Sequence, residues 1–310
     1  MNILGRRYLF FALSMLIIIP GLIILIVLGA RDQLPLSIDF TGGSLVEVEF
    51  ASAEPQPGDI VMLYSELEIE DAQVITTEDN RYIIRSSFLS DDKRQEIITS
   101  METTFESEVI IWQLDSVGPA IGEQVTSRAA IAVGVAALAV VIFITIAFRG
   151  VAHAFRYGIC AVIAMIHDVA IVFSLVGIGS LLFGWQIDAL FLTALLTVIG
   201  FSVQDKIVVF DRIRENSTIL RRLDFETLAN HSIIQTLQRS INTQLMTVEF
   251  LLLALALMGG VTLREFAIIL LVGLLSGTYS SIFIAAPILV MWENQDWRRL
   301  FRRDLVNTGH

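Results

Sequence analysis

Three clusters of ionisable and amide side chains interrupt apolar runs of this 310-residue chain. His167-Asp168 lies between Met165 and Val169, Gln204-Asp205-Lys206 stands in a second run, and Arg239, Asn242, Thr243, Gln244, Thr247 and Glu249 open a third. A charged side chain at mid-bilayer costs roughly 2.5–3.5 kcal/mol on insertion scales, which makes each a functional candidate by default. Asp205 and Arg239 suit proton relay. Burial favours the protonated acid, and a guanidinium moving beside it favours the carboxylate. Such a pair can take up a proton from one side and release it to the other. The competing reading is a fixed ion pair. Lys206 is a poor partner for Asp205, because adjacent helical positions point about 100° apart, and Arg239 is the better one. An Arg near a helix end can also extend its head to the interface. His167, Asp168 and Glu249 read as helix-packing groups. At 3.6 residues per turn, positions 239, 242, 243 and 249 share one broad face, a polar seam turned to other helices or to water.

The elements that carry these groups follow from composition. The chain is 55% hydrophobic and only 17% charged, with mean hydropathy +0.70, more apolar material than a soluble core of this size uses. Six stretches are long enough to span a bilayer, at residues 8–28, 129–148, 157–182, 187–211, 238–258 and 266–291. The first reads as a retained anchor, since its apolar stretch exceeds a signal-peptide core and no small-residue cleavage site follows before Arg31. Arg6 and Arg7, Arg149 and Arg156, Arg212, Arg214, Arg221 and Arg222, and Arg298, Arg299, Arg302 and Arg303 all fall on one side of a six-span arrangement. That side is expected to be cytoplasmic. Only Arg264, beside Glu265, departs. The expected segments are 1–30 (cytoplasmic N-terminus and first span), 31–127 (external head), 128–292 (five-helix bundle with a cytoplasmic loop at 212–237) and 293–310 (basic cytoplasmic tail). Within that loop, 224–238 suits an interfacial amphipathic helix. Gly273 and Gly277 allow close helix approach in the last span, and Tyr279-Ser280-Ser281 can hydrogen-bond across helices.

The head is acidic. Residues 31–127 hold 20 of the 32 Asp and Glu but only 5 of the 21 Lys and Arg. Alternation over 44–50, helical spacing over 57–68 behind an Asp59 start signal, short β-branched runs at 72–76 and 81–87 joined by Asp79-Asn80, a helix opened by Ser90, and a last strand over 108–114 give the order β-α-β-β-α-β. That is the ferredoxin-like split arrangement. The expected fold is thus a polytopic α-helical membrane protein of six transmembrane helices, with a small α+β ferredoxin-like external domain between the first two.

Several chemistries are excluded. The net charge of −11 gives no basic cluster for nucleic acid. A single cysteine, Cys160, rules out disulfide frameworks and Cys-rich zinc sites, and four scattered histidines form no readable metal site. No nucleophile elbow, HExxH or phosphate loop is present, and Gly42-Gly43 reads as a turn. No enzyme, cofactor or metal is expected.

Five motifs in order carry a resemblance. They are Asp39-Phe40-Thr41-Gly42-Gly43, Val117-Gly118-Pro119-Ala120-Ile121-Gly122, His167-Asp168-Val169, Val208-Val209-Phe210-Asp211-Arg212-Ile213-Arg214-Glu215-Asn216 and residues 277–285, Gly-Thr-Tyr-Ser-Ser-Ile-Phe-Ile-Ala. Together they cover nearly the whole chain, which resembles the SecF subunits of the SecD/SecF family, within the resistance-nodulation-division superfamily. The resemblance implies an accessory subunit of Sec protein export in the bacterial inner (cytoplasmic) membrane, with both termini cytoplasmic. SecD would supply six further spans, and the SecYEG channel, SecA and the exported unfolded polypeptide would be partners. It also implies use of the proton gradient rather than ATP, with the proton pathway on Asp205 and Arg239, supported by Gln204, Lys206, Asn242, Thr243, His167 and Asp168. The family usually reads Asn-Asp followed by Thr or Ser where this chain has Gln204-Asp205-Lys206. Lys206 could hold Asp205 ionised, pair with Asp168 or face SecD, which leaves H⁺ and Na⁺ both open as coupling ion. The run 242–247 also departs from the small Ser/Thr-rich stretch expected. Two rivals remain: a small-molecule or lipid exporter of the same superfamily, and a structural stabiliser in which Asp205 and Arg239 form a static pair.

Overall fold

The computed structural model describes residues 3–31, 33–77, 80–149, 154–244, 250–258 and 261–295. The chain divides into two compact units, Leu36–Ile131, and Met1–Pro35 with Ala132–His310. The first helix, α1 (Arg7–Ala30), runs 24 residues without a break at Pro20. At 1.5 Å per residue that is ~36 Å, enough for a bilayer core.

The head opens with a single turn, α2 (Ile38–Thr41), capped by the Ser37 hydroxyl, which accepts from the Asp39 N–H. Then follow β1 (Gly43–Phe50), α3 (Pro57–Glu66), β2 (Gln73–Thr76), β3 (Tyr82–Ser86), α4 (Asp91–Thr104) and β4 (Val109–Val117). The four strands form one antiparallel sheet in the order β2-β3-β1-β4. Strand alternation sends Val46, Val48, Phe50 and Ile84 into a core closed by Ile60, Leu63 and Tyr64 of α3 and Ile97 and Met101 of α4. The Asp59 carboxylate accepts from the Gln56 N–H and the Ser90 hydroxyl from the Lys93 N–H, so both expected start signals act as caps. Of the expected Asp79-Asn80 turn, Asp79 lies outside the described residues. The strands on either side pair as a hairpin. At Glu47/Val48 the ladder shifts by one residue and leaves Trp112 as the extra residue of β4. Its ring lies 3.7 Å under the Arg81 guanidinium carbon, and its Nε1–H donates to Glu49 Oε2 at 2.8 Å.

Gly42-Gly43 is a turn with a clear requirement for glycine. Both residues have positive φ, 74° and 131°, and a Cβ on Gly42 would stand 2.8 Å from Pro119 Cα. Gly122 in turn would place a Cβ 2.6 Å from the Gly42 nitrogen. Two of the five signature motifs therefore exist to pack on each other.

The remaining elements are α5 (Pro119–Ala147), α6 (Ala154–Phe183), α7 (Ala189–Ile219), α8 (Phe225–Gln244), α9 (Phe250–Met258) and α10 (Val261–Ser280). A π-helical turn (Ser281–Ala285) then leads into α11 (Ala286–Glu293). Pro287 cannot donate to the carbonyl one turn back, and the wider turn before it relieves that loss. Among the described residues five segments are long and apolar enough to cross a membrane, Leu4–Ala30, Pro119–Ala147, Ala154–Phe183, Ala189–Ile219 and Leu263–Glu293. The expected span at 238–258 runs through 245–249, which lie outside the described residues. Helix α6 is the axis of the bundle, packed on α1, α7 and α10, whereas α5 leaves most of its apolar surface uncovered.

Two boundaries differ from expectation. Helix α5 starts at Pro119, ten residues before 129, because the proline occupies a first-turn position where no N–H is needed. The loop expected at 212–237 is mostly helix, with α7 continuing to Ile219 and α8 starting at Phe225. The stretch 224–238 is not a separate interfacial helix. Leu228, Ala229, Ser232, Ile233, Thr236 and Ser240 form one buried stripe that runs on past residue 238. Asn216 on α7 holds that stripe by donating to Ser232 Oγ at 2.8 Å and Gln235 Oε1 at 3.0 Å.

Candidate functional site

The polar groups of the spans separate into two sets. The first is a closed cluster around Asp168, whose side chain is fully buried on α6. Lys206 on α7, also fully buried, donates from Nζ to Asp168 Oδ2 at 2.7 Å. Ser202, one turn before Lys206, donates to the same oxygen at 2.6 Å. From α10, Ser280 donates to Oδ2 and Ser276 to Oδ1, each at 2.7 Å. His167 Nδ1–H donates to Oδ1 at 3.1 Å. The His167 imidazole stacks on Tyr279, with centroids 6.2 Å apart. The Tyr279 hydroxyl donates to the Phe10 carbonyl at 2.9 Å, which ties α10 to α1.

Spacing explains why the cluster forms. Ser202 and Lys206, and Ser276 and Ser280, are i,i+4 pairs, so each pair presents two polar groups on one helical face. Glycine then brings those faces together. A Cβ on Gly273 would lie 2.3 Å from Val198 Cγ2, and one on Gly277 would lie 3.2 Å from Ser202 Cα. The close approach expected of Gly273 and Gly277 is the α7–α10 contact itself.

The second set faces outward. Asp205 is half-buried, and its Oδ2 is shielded from solvent with no hydrogen-bond partner. Gln204, Arg239, Asn242 and Thr243 are exposed on the surface of this chain. The expected pairing of Asp205 with Arg239 is not a direct contact, since among the described residues no ion pair joins them. The Thr278 hydroxyl of α10 neighbours the carboxylate as a hydrogen-bonding group, and the Arg239 guanidinium acts on it only through space. Gln244 is on the buried face of α8, and Thr247 and Glu249 lie outside the described residues.

Of the sequence-derived candidates, His167, Asp168 and Lys206 thus come together, while Asp205, Gln204, Arg239, Asn242 and Thr243 form an outer polar stripe. Sequence reasoning missed Ser202 and Ser276. Their signal was a hydroxyl four residues from another polar group inside an apolar run. Among the described residues no group of His, Cys, Asp and Glu could hold a metal ion.

Charged groups sequestered within long apolar helices, in a chain that also carries a small sheet domain, define a polytopic helical membrane protein. Residues 97–295 match the model for protein export membrane protein SecD/SecF, C-terminal, and residues 30–54 match that for the SecD/SecF GG motif. The chain is 67% identical over 304 residues to the protein translocase subunit SecF of Anaerolinea thermophila, covering 98% of this chain and 97% of that one. It is 37% identical over 273 residues to the protein translocase subunit SecDF of Thermus thermophilus, covering 84% of this chain and 34% of that one. The crystal structure of the Thermus SecDF, described as a translocon-associated membrane protein, matches with a TM-score of 0.79 at 33% identity over 95% of this chain. This chain spans 39% of that solved chain. The chain belongs to the SecD/SecF family of protein-export membrane proteins, as a SecF.

Proposed function

We propose that this chain is the SecF half of a proton-motive-force-driven accessory to Sec protein export, acting with SecD. The observation that carries the proposal is the contrast between two carboxylates. Asp168 is neutralised by Lys206 and saturated with donors, so its charge has no reason to change. Asp205 has a buried, unpartnered oxygen, and the cation nearest in role, Arg239, stands off it on an exposed helix face. A carboxylate in that position can gain or lose a proton according to where the guanidinium sits. One elementary charge crossing ~100 mV is worth about 2.3 kcal/mol. That suffices to bias a rocking motion of helix bundles and not to drive export in one step, so work accumulates over repeated cycles.

The exposed Gln204, Arg239, Asn242 and Thr243, with half-buried Asp205 beside Gln204, also support a partner. Lipid is a poor neighbour for four exposed polar groups, and a second bundle covering them removes the cost. SecD is the natural occupant, because the Thermus relative joins SecD and SecF in one chain. We read six spans, with 238–258 as the fifth, both termini cytoplasmic in the bacterial inner membrane, and the head on the outer side. The head reads as ferredoxin-like, supported by its β-α-β-β-α-β order and its β2-β3-β1-β4 sheet. SecYEG, SecA and the emerging polypeptide are the further partners of this reading.

The test is Asp205→Asn in membrane vesicles that carry out export. Gradient-stimulated export should fall to the level seen without a gradient, while the complex with SecD still assembles. Undiminished export with impaired assembly would favour the structural-stabiliser reading.

A further inference from the structure

Lys206 occupies a position built for a cation. Its ammonium donates to Asp168 Oδ2 at 2.7 Å, to the Ser202 carbonyl at 3.1 Å and to Ser202 Oγ. These three oxygens use its full donor capacity. The Ser280 hydroxyl bonds the same carboxylate oxygen. Carboxylate, carbonyl and hydroxyl oxygens are the hard donors that suit alkali and alkaline-earth ions rather than soft metals. The charge selects among those. Asp168 is the one acid that the ammonium contacts, and one carboxylate balances a monovalent ion but leaves a divalent ion half compensated in a medium where bare charge is expensive. The cage is closed, since Asp168, Lys206, Ser202, Ser276 and Ser280 are all buried.

We infer that Lys206 is a tethered cation that permanently fills a monovalent-cation cage formed by the Asp168 carboxylate and the carbonyl and hydroxyl of Ser202, and so excludes Na⁺ from the interior of this subunit. The inference makes Lys206 a determinant of ion specificity. With the cage filled by a group that cannot leave, H⁺ at Asp205 is the ion left to couple, a consequence that rests on the function proposed above. The neighbouring titratable groups are His167, whose imidazole touches the other carboxylate oxygen of Asp168, and Asp205, the residue before Lys206 and so about 100° around α7 from it.

The experiment compares the full chain in detergent with Lys206→Ala, Asp168→Asn/Lys206→Ala and Asp168→Asn/Lys206→Met, in NaCl or in choline chloride of equal strength. Lys206→Ala opens the cage and leaves the carboxylate. Its thermal midpoint should rise by about 2–6 °C in Na⁺ over choline. The wild type and both double variants should show no difference between the two salts. Equal midpoints for Lys206→Ala in Na⁺ and choline would overturn the inference. So would failure of Lys206→Ala to accumulate in Na⁺ medium while Asp168→Asn/Lys206→Met accumulates, because Na⁺ then does not replace the ammonium. No gradient enters this measurement. A failed cage registers in the melting, and a failed proton pathway registers separately in export by Asp205→Asn.

Discussion

Removing one member of the Asp168–Lys206 pair should cost far more than removing both. Lys206→Met keeps most of the stem volume and deletes the charge, stranding a carboxylate that is fully buried. Breaking a buried pair from one side costs about 3–5 kcal/mol. Four other donors, from His167, Ser202, Ser276 and Ser280, remain on Asp168. Hydrogen bonds to a charged group are worth about 1.5–3 kcal/mol each, so the cost should sit near the lower end, about 3 kcal/mol in sodium-free buffer. Asp168→Asn alone strands the ammonium and should cost a similar amount. The double variant leaves no buried charge and should lie within about 1 kcal/mol of wild type. The coupling is then about 5–6 kcal/mol, read as midpoint losses of about 6–12 °C for each single variant and about 4 °C or less for the double. Midpoints should be compared at one scan rate, because membrane-protein unfolding is often irreversible. Additive losses, with the double variant as unstable as both singles summed, would refute the reasoning.

Three further outcomes follow from the geometry. Gly277→Leu pushes a side chain into Ser202 on α7, where even a Cβ would lie 3.2 Å from the Cα, and should abolish folded protein in size-exclusion profiles. Gly134→Leu, with open space around its site, should be silent. Ile84→Ala in the head, at a fully buried position, should destabilise the sheet by about 2–5 kcal/mol, measured as faster hydrogen exchange in β1 and β3. The Asp224 carboxylate accepts from the Thr227 backbone N–H at 2.9 Å, and this bond, with that from the Thr227 side chain, holds its pKa below the ordinary 3.8. Its capping contribution is therefore complete above that value and is lost as pH falls through the lowered one. The protection factor of the Thr227 amide, its exchange rate corrected for the intrinsic pH dependence, should fall on acidification, and Asp224→Asn should flatten that dependence.

Much of this architecture was legible in the sequence because its signals are local. Apolar run length marks membrane helices wherever they lie, and the five described spans coincide with stretches expected from composition. Strand alternation and capping residues located the elements of the head for the same reason. Helix limits were less legible where the deciding partner is remote. The α8 stripe looked interfacial because an amphipathic pattern is the same whether the apolar face meets lipid headgroups or, as here, α7.

The sequence alone established which residues carry charge in the spans, that Asp205 and Lys206 point apart on α7, and that glycines permit one close helix contact. The tertiary structure decided partnership. Asp168 is 38 positions from Lys206 and 112 from Ser280, and no local rule joins groups on three helices. Only the packing of α7 against α6 and α10 placed an ammonium and three hydroxyls around one acid, leaving the other acid, a single residue from that ammonium, half-buried and outside the cluster. Helical periodicity separates neighbours by angle, and helix packing determines what each angle meets.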